Sequence, residues 1–204
     1  MNAIIYLEGG ASGPDSKTLT IRCQQAFHQL LDSMGFKGRK PRLKACGGRA
    51  SVFEDFCTAH RTNRSEYIAM WIDSEEPMTD IEAAWKHLAE VTTVAAWQRP
   101  KGAEDEQVLF MTTCMESWIV ADVATLRAHY GKELNENSLP APNDLEKRSR
   151  KDVQSRLETA TKNCKNAYAK GKRSFEILEK LQPSTLRQQL PSFARIERIL
   201  QEKL

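Results

Sequence analysis

Acidic side chains follow two apolar segments of the chain. Glu8 comes directly after the run Ala3–Leu7, and Asp73 comes directly after residues 67–72, with Glu75 two positions further on. Carboxylates that lie close together repel one another and raise one another's pKa unless a cation lies between them, and Mg²⁺ prefers oxygen ligands. If both runs are strands of one sheet, we expect these acids to hold a divalent metal ion.

Each acid also has a simpler explanation. Glu8 stands where it could cap the helix that follows, and the acids at 73, 75 and 76 could form a solvated turn before Pro77. A solvated turn is the commoner role of an isolated acidic triplet. Because two separate segments both end in acids, we favour the metal site over these alternatives.

The elements that must position these acids alternate between strands and helices along residues 1–132. The apolar pattern predicts strands at 3–7, 42–46, 67–72 and 108–111. It predicts helices whose apolar residues span 19–34, 51–60, 81–91 and 118–130, and the last of these helices is expected to begin near Glu116. This alternation favours an α/β fold with a mostly parallel sheet and helices on both faces. Ligands bind beyond the carboxyl ends of such strands, which is where Glu8, Asp73 and Glu75 are expected.

The last third of the chain differs in composition. Residues 133–146 include Asn135, Asn137, Pro140 and Pro142 and are expected to form a linker. Residues 147–204 are expected to form a basic helical C-terminal region, with helices near 151–169, 174–181 and 191–200. This region carries 15 Lys or Arg against 6 Asp or Glu, a net charge of +9, whereas residues 1–146 carry a net charge of −6.

Such charge asymmetry favours an anionic partner for the basic region, although a solvated helix surface or a dock for an acidic protein explains it equally. Lys17 is a further candidate for binding phosphate, because it lies near the start of the first predicted helix after a glycine-rich loop through Gly13 and Pro14. That loop lacks the Gly-Lys-Ser/Thr of a P-loop, so we do not expect ATP binding. The candidate phosphate contacts in the tail are Lys162, Lys165, Lys170, Lys172 and Arg173.

The chain resembles known proteins at these same strand ends. The segment from Ile5 to Gly10 resembles the first Toprim motif, a strand ending in Glu followed by Gly, and Ile72-Asp73-Ser74-Glu75 resembles the second motif. More closely, the chain resembles a bacterial Toprim-like family of unknown function that is often encoded beside ABC-type or OLD-type ATPases and linked with phage defence. That family's further motifs are matched by residues 115–122, 168–171 and 190–196.

The resemblance implies roles for the acids. Glu8 would be a general base or a metal ligand, and Asp73 and Glu75 would be ligands of Mg²⁺ or Mn²⁺. Many Toprim domains have Asp-x-Asp at the second motif, so Glu75 implies a different coordination. Glu116 is either a further ligand or a first-turn acid favoured by its helix dipole, and Asp122, expected in mid-helix, is assigned a structural role.

The implied function is a Mg²⁺-dependent Toprim-type nuclease that hydrolyses phosphodiester bonds in DNA or RNA, acting with an ABC- or OLD-type ATPase partner in anti-phage defence. One alternative is a non-catalytic module on the same fold that binds nucleic acid or a partner protein. A second alternative is an enzyme acting on a small phosphorylated molecule. Fold alone does not decide among them.

Composition adds one expectation about location. The five cysteines form no C-x-x-C pair, and the chain shows neither a signal peptide nor an apolar stretch long enough for a membrane span. We therefore expect a cytoplasmic protein with free thiols.

Overall fold

The computed structural model describes residues 3–10, 16–62 and 66–204, so Gly13 and Pro14 of the predicted loop lie outside the described residues. Four strands form one sheet, in the order β2-β1-β3-β4, and every neighbouring pair is parallel. The strands are β1 (Ala3–Leu7), β2 (Arg42–Ala45), β3 (Tyr67–Asp73) and β4 (Val108–Met111). The predicted α/β class with a parallel sheet is confirmed.

Helices cover both faces of this sheet. In the described part of the chain they are α1 (Ser16–Ser33), α2 (Arg49–Thr62), α3 (Ala84–Glu90), α4 (Met115–Ala121), α5 (Val123–Tyr130), α6 (Arg150–Thr161), α7 (Lys172–Leu178), α8 (Pro183–Gln189) and α9 (Pro191–Lys203). Short 3-10 turns lie at 105–107, 131–133, 136–138 and 145–147. None of the helices in the described ranges has the length and apolar character needed to cross a membrane.

Side chains of β1 alternate between two buried layers, as the period of a strand requires. Ile5 and Leu7 belong to a layer that also contains residues of α1 and of α4 to α9, whereas Ile4 and Tyr6 belong to a layer with residues of α2 and α3. Every residue of β1, β3 and β4 is buried, which accounts for their almost continuous apolar sequences.

The order of the strands creates a crevice between β1 and β3. From β1 the chain passes to β2 on one side, and it then crosses to β3 on the other side of β1. The strand order therefore reverses between β1 and β3, and ligands of α/β proteins bind at such a switch point, outside the carboxyl ends of the strands. Glu8 and Asp73 lie at the carboxyl ends of these two strands.

The basic C-terminal helices pack into the first buried layer. Phe193 of α9 lies edge-on to Trp118 of α4, with ring centroids 4.9 Å apart, and Trp118 in turn contacts Trp71 of β3. Leu134 and Leu139, which fall in the predicted linker, are buried in the same layer. Residues 133–204 thus complete the core on this face. The division of the chain into an α/β domain (1–132), a linker (133–146) and a C-terminal region (147–204) stays a prediction.

Asp122 marks the clearest difference from the predicted elements. The helix predicted over 118–130 is two helices, and Asp122 is the N-cap of the second rather than a mid-helix residue. Its carboxylate accepts hydrogen bonds from the backbone N–H of Thr125 (3.0 Å), the hydroxyl of Thr125 (2.7 Å) and the backbone N–H of Gln182 (2.9 Å). Side-chain capping of this kind satisfies amide groups that a helix start leaves unpaired.

Other helix boundaries also differ. The helix predicted over 151–169 ends at Thr161, the one predicted over 81–91 spans Ala84–Glu90, and α8 was not predicted. The sequence around α8 offers only a short apolar pattern, although Pro183 at its first position is a typical helix start.

Candidate metal centre

The structure brings together the three acids that the sequence singles out. Ligand oxygens of Glu8, Asp73 and Glu75 all lie within 4.8 Å of one another. The pairing of β1 with β3 continues one residue beyond the strand, because the backbone N–H of Glu8 donates to the carbonyl of Trp71 at 2.9 Å. Glu8 is therefore held beside Asp73, which ends the neighbouring strand.

Backbone N–H groups orient two of the three carboxylates. Asp73 N–H donates to Oε2 of Glu8 at 3.1 Å, and Met115 N–H, at the start of α4, donates to Oδ1 of Asp73 at 2.9 Å. These bonds engage one oxygen of each carboxylate, and Oδ2 of Asp73 lies 3.7 Å from Nη2 of Arg150. Hydrogen bonds that fix carboxylates in this way are typical of the residues that support metal ligands.

Glu75 reaches the cluster through an uncommon backbone conformation. Its φ of 70° lies in the left-handed region, which costs a non-glycine residue roughly 1 kcal/mol or more. Its N–H donates to the carbonyl of Thr113 at 2.9 Å, and its carboxylate, whose side chain is 8% exposed, pairs with Arg150. Strained backbone of this kind is concentrated at functional sites.

The neighbouring Glu76 lies in a different environment. Its carboxylate accepts hydrogen bonds from the backbone N–H of Thr92 (2.9 Å) and of Thr93 (2.7 Å) and from the Thr92 hydroxyl (2.8 Å). These bonds lower the pKa of Glu76 to about 2. Glu76 therefore anchors the loop before α3 instead of joining the cluster of Glu8, Asp73 and Glu75.

The electrostatics of the cluster favour an added cation. Burial raises the pKa of Glu8, and burial together with repulsion from Glu8 and Glu116 raises the pKa of Asp73 well above its usual value. Arg150 and Lys170 act in the opposite direction on both pKa values, without reversing either shift. All three ligand atoms are carboxylate oxygens, which are the ligands that Mg²⁺ and Mn²⁺ prefer, so these residues fit such an ion.

A cavity of about 200 Å³ opens beside the cluster. Its walls include Glu8, Asp73 and Glu116 as acids and Arg150 and Lys170 as bases. Gly9, Gly10 and Gly47 also line it.

Gly9 is required at this place. Its φ is +148°, and a Cβ atom there would lie 2.6 Å from Sγ of Cys23. Its N–H and carbonyl pair with the carbonyl and N–H of Gly47, both at 2.9 Å. The two glycine segments thereby join the loops that follow β1 and β2 and keep the backbone at the rim of the cavity uncovered by side chains.

Glu116 lies in the cavity wall, almost completely buried, in the first turn of α4. Its Oε1 accepts a hydrogen bond from the hydroxyl of Tyr168 at 2.6 Å and lies 3.8 Å from Nζ of Lys170, and its Oε2 accepts from Nε2 of Gln154 at 3.2 Å. Both carboxylate oxygens thus have protein partners. The role of Glu116 as a metal ligand stays a prediction.

The predicted phosphate contacts are placed in different surroundings. Lys170 lines the cavity, whereas Lys17 is exposed near the start of α1. Lys172 lies 3.8 Å from Glu176 one turn along α7, and the guanidinium of Arg173 donates to the carbonyl of Ala167. The structure therefore brings Lys170 to the acids and leaves the other three outside the walls of this cavity.

Two arginines of the site were missed by the sequence analysis. Arg150 begins α6 and contacts Glu75 and Asp73, and the local signals for a helix start there are the N-cap Ser149 and the first-turn acid Asp152. Arg49 lies over the ring of Trp97, 3.7 Å from its centroid, and donates to the carbonyl of Ala95 at 3.0 Å. Burial lowers the pKa of Arg49, while the charges of Glu8 and Asp73 act to raise it.

The fold and the site define an α/β protein with a carboxylate cluster at the switch point of a four-stranded parallel sheet. The chain belongs to DUF4276, a family described as a domain of unknown function, which matches residues 13–201. Neither a curated protein nor a solved structure matches the chain. The resemblance to a family of unknown function is thus confirmed at the level of a family, while the Toprim-like assignment and the ATPase gene neighbourhood stay predictions.

Proposed function

We propose that this protein is a nuclease of Toprim type that depends on Mg²⁺ or Mn²⁺ and hydrolyses phosphodiester bonds in DNA or RNA. One observation carries the proposal, namely the convergence of Glu8, Asp73 and Glu75 within 4.8 Å at the switch point of the sheet. When bound, the metal ion would polarise a phosphoryl oxygen and lower the pKa of a bound water. Glu8, Asp73 and Glu75 would hold that ion.

Glu8 has a second role in this proposal. Burial raises its pKa, and a carboxylate whose pKa lies nearer to neutrality is a better proton acceptor at physiological pH. Its orientation is maintained by the hydrogen bond from the N–H of Asp73. Glu8 would accept the proton of the attacking water on its carboxylate.

Lys170 and the exposed Lys162 and Lys165 would provide the contacts with the substrate backbone. Lys170 shares the cavity with the acids, and Lys162 and Lys165 are exposed in the connection between α6 and α7. Phosphate contacts of this kind give affinity that falls steeply with salt but carry no sequence specificity. The ATPase partner and the role in anti-phage defence enter the proposal only through the resemblance to the Toprim-like family.

A non-catalytic module that binds nucleic acid or a partner protein is the second candidate. It is favoured by the contacts of Arg150, because this guanidinium already gives Asp73 and Glu75 a positive partner without a metal ion. In that case the acids would serve the structure, and the basic helices would carry the function.

Titration with metal separates the two candidates. Calorimetry with Mg²⁺ and Mn²⁺ is expected to show binding by the wild type and by Glu76→Gln, and loss of binding by Glu8→Gln and Asp73→Asn. Glu76→Gln is the matched control, because it removes an acid of the same loop that lies outside the cluster. Nicking of supercoiled plasmid, measured in the same samples, is expected to follow metal binding.

Metal binding by Glu8→Gln and Asp73→Asn equal to that of the wild type would contradict the proposed site. Metal binding without nicking would point to a missing partner or to a small phosphorylated substrate. No metal binding by the wild type, with salt-sensitive nucleic-acid binding retained, would favour the non-catalytic module.

A further inference from the structure

The guanidinium of Arg150 lies beside two of the carboxylates that would bind the metal ion, those of Asp73 and Glu75. One of its guanidinium nitrogens contacts Oε2 of Glu75, and the other, Nη2, lies 3.7 Å from Oδ2 of Asp73. The other oxygen of Asp73 is already bound by the N–H of Met115. A metal ion bound by Oδ2 of Asp73 and Oε2 of Glu75 would compete with Arg150 for these two oxygens.

Arg150 also lies between two cavities. One is the cavity of about 200 Å³ beside Glu8 and Asp73, and the other, of about 560 Å³, extends along α6. The walls of the larger cavity carry Arg150 and Lys151 as bases, Glu75 and Glu158 as acids, and neutral hydrogen-bonding groups such as Gln154. Arg150 lines both cavities, so one residue borders the acids and the larger cavity at the same time.

We propose that Arg150 exchanges its anionic partners. It pairs with the carboxylates of Asp73 and Glu75 in the free protein, and it binds a phosphate group of the substrate when a metal ion binds those carboxylates. This inference rests on the proposed metal site. A guanidinium and a divalent ion compete for the same carboxylate oxygens, and a released guanidinium is the side chain best suited to bind phosphate through two parallel hydrogen bonds. The exchange makes Arg150 a substrate-positioning residue, and it couples metal binding to phosphate binding.

The neighbouring charges support an exchange over a permanent ion pair. The cluster contains Glu8, Asp73 and Glu75 with Glu116 close by, whereas the bases that line its cavity are Arg150 and Lys170. A divalent ion supplies twice the charge of Arg150 to the same oxygens, so it is expected to replace the guanidinium there. Lys170 remains beside Glu116 and does not contact the oxygens that Arg150 leaves.

The test compares Arg150→Gln with Arg156→Gln. Arg156 lies on the same helix and forms a surface ion pair with Asp152 at 2.8 Å, so this control removes the same charge without touching the cluster. Calorimetry is expected to show that Arg150→Gln lowers the Kd for Mn²⁺ about tenfold, the order expected when one competing charge-assisted hydrogen bond is removed. Arg156→Gln is expected to leave that Kd within about twofold of the wild type.

The second measurement concerns phosphate. Binding of a labelled phosphorothioate oligothymidylate, which resists hydrolysis, is followed by fluorescence anisotropy with and without Mn²⁺. Arg150→Gln is expected to weaken this binding about tenfold with Mn²⁺ present and clearly less without it. Arg156→Gln is expected to have the same small effect in both conditions.

A double-mutant cycle between Arg150→Gln and Glu75→Gln, measured by urea unfolding without metal, checks the ion pair itself. A coupling between the two substitutions is expected, and its absence would overturn the proposal at its starting point. If folded Arg150→Gln binds Mn²⁺ no more tightly than the wild type does, the exchange is wrong and the metal site stands. If neither the wild type nor any variant binds Mn²⁺, the metal site itself is wrong, and the exchange fails with it.

Discussion

Glu146 is expected to make the protein less stable as the pH rises through neutrality. It lies in the 3-10 turn before α6, and its two carboxylate oxygens accept hydrogen bonds from the N–H of Ser192 at 3.1 and 3.2 Å, near the start of α9. The hydroxyl of Ser192 donates to the same carboxylate. Burial outweighs these hydrogen bonds and raises the pKa of Glu146 from 4.5 to about 7.

The direction of the effect follows from proton binding. Between pH 4.5 and 7 the folded protein retains the proton of Glu146 while the unfolded chain releases it, so the free energy of unfolding falls as the pH rises. The stabilisation by this proton is fully present below about pH 4.5 and is lost above about pH 7. A pKa difference of that size corresponds to about 3 kcal/mol.

Glu146→Gln removes the titration while keeping a side chain that accepts hydrogen bonds. Urea unfolding is expected to show the variant more stable than the wild type at pH 8, by up to about 3 kcal/mol, and close to it at pH 5. Glu90→Gln, which changes an exposed acid on α3, controls for the net charge. A stability difference between Glu146→Gln and the wild type that stays constant from pH 5 to pH 8 would refute the reasoning.

Three further predictions concern the site, the core and the basic surface. Asp73→Asn is expected to stabilise the metal-free protein, because it removes a buried charge and its repulsion from Glu8. It is also expected to abolish the rise in Tm that Mn²⁺ gives the wild type. Thermal unfolding with and without Mn²⁺ measures both effects. Asp122→Ala is expected to destabilise the protein by about 2–4 kcal/mol in urea unfolding, because it leaves buried donors unpaired, whereas a loss below about 1 kcal/mol would show that the cap is dispensable. Replacing both Lys162 and Lys165 with Gln is expected to make the dependence of log affinity on log salt less steep, by roughly 1–1.5 in the size of the slope for a single-stranded oligonucleotide. An unchanged slope would mean that the nucleic acid binds elsewhere.

The strands were predictable because their signal is local. A parallel strand buried on both faces must be apolar at nearly every position, and residues 67–72 and 108–111 show this directly. Helix ends were less predictable. The apolar pattern from 118 to 130 continues through Asp122, so the break between α4 and α5 depends on hydrogen bonds with Thr125 and with Gln182, which lies 60 residues away.

The acids of the site were predictable for the same reason. Glu8 and Asp73 each end an apolar run, and their chemistry can be read from the residue type and its place in the strand. Arg150 could not be found in this way, since it lies 75 residues from Glu75 in sequence and begins a helix whose apolar face gives no indication of its partner. Tyr168 and Gln154, which hold Glu116, are likewise 52 and 38 residues from it.

The sequence by itself determined that this is an α/β chain with carboxylates at the ends of two buried strands and a basic C-terminal region. Only the tertiary structure decided that β1 lies beside β3, which makes Glu8 and Asp73 neighbours, and that α6 brings Arg150 to them. The physical reason is that apolar runs and residue types depend on local requirements of burial. Strand order and helix docking depend instead on how all the layers pack together, and that free energy is spread over contacts distant in sequence.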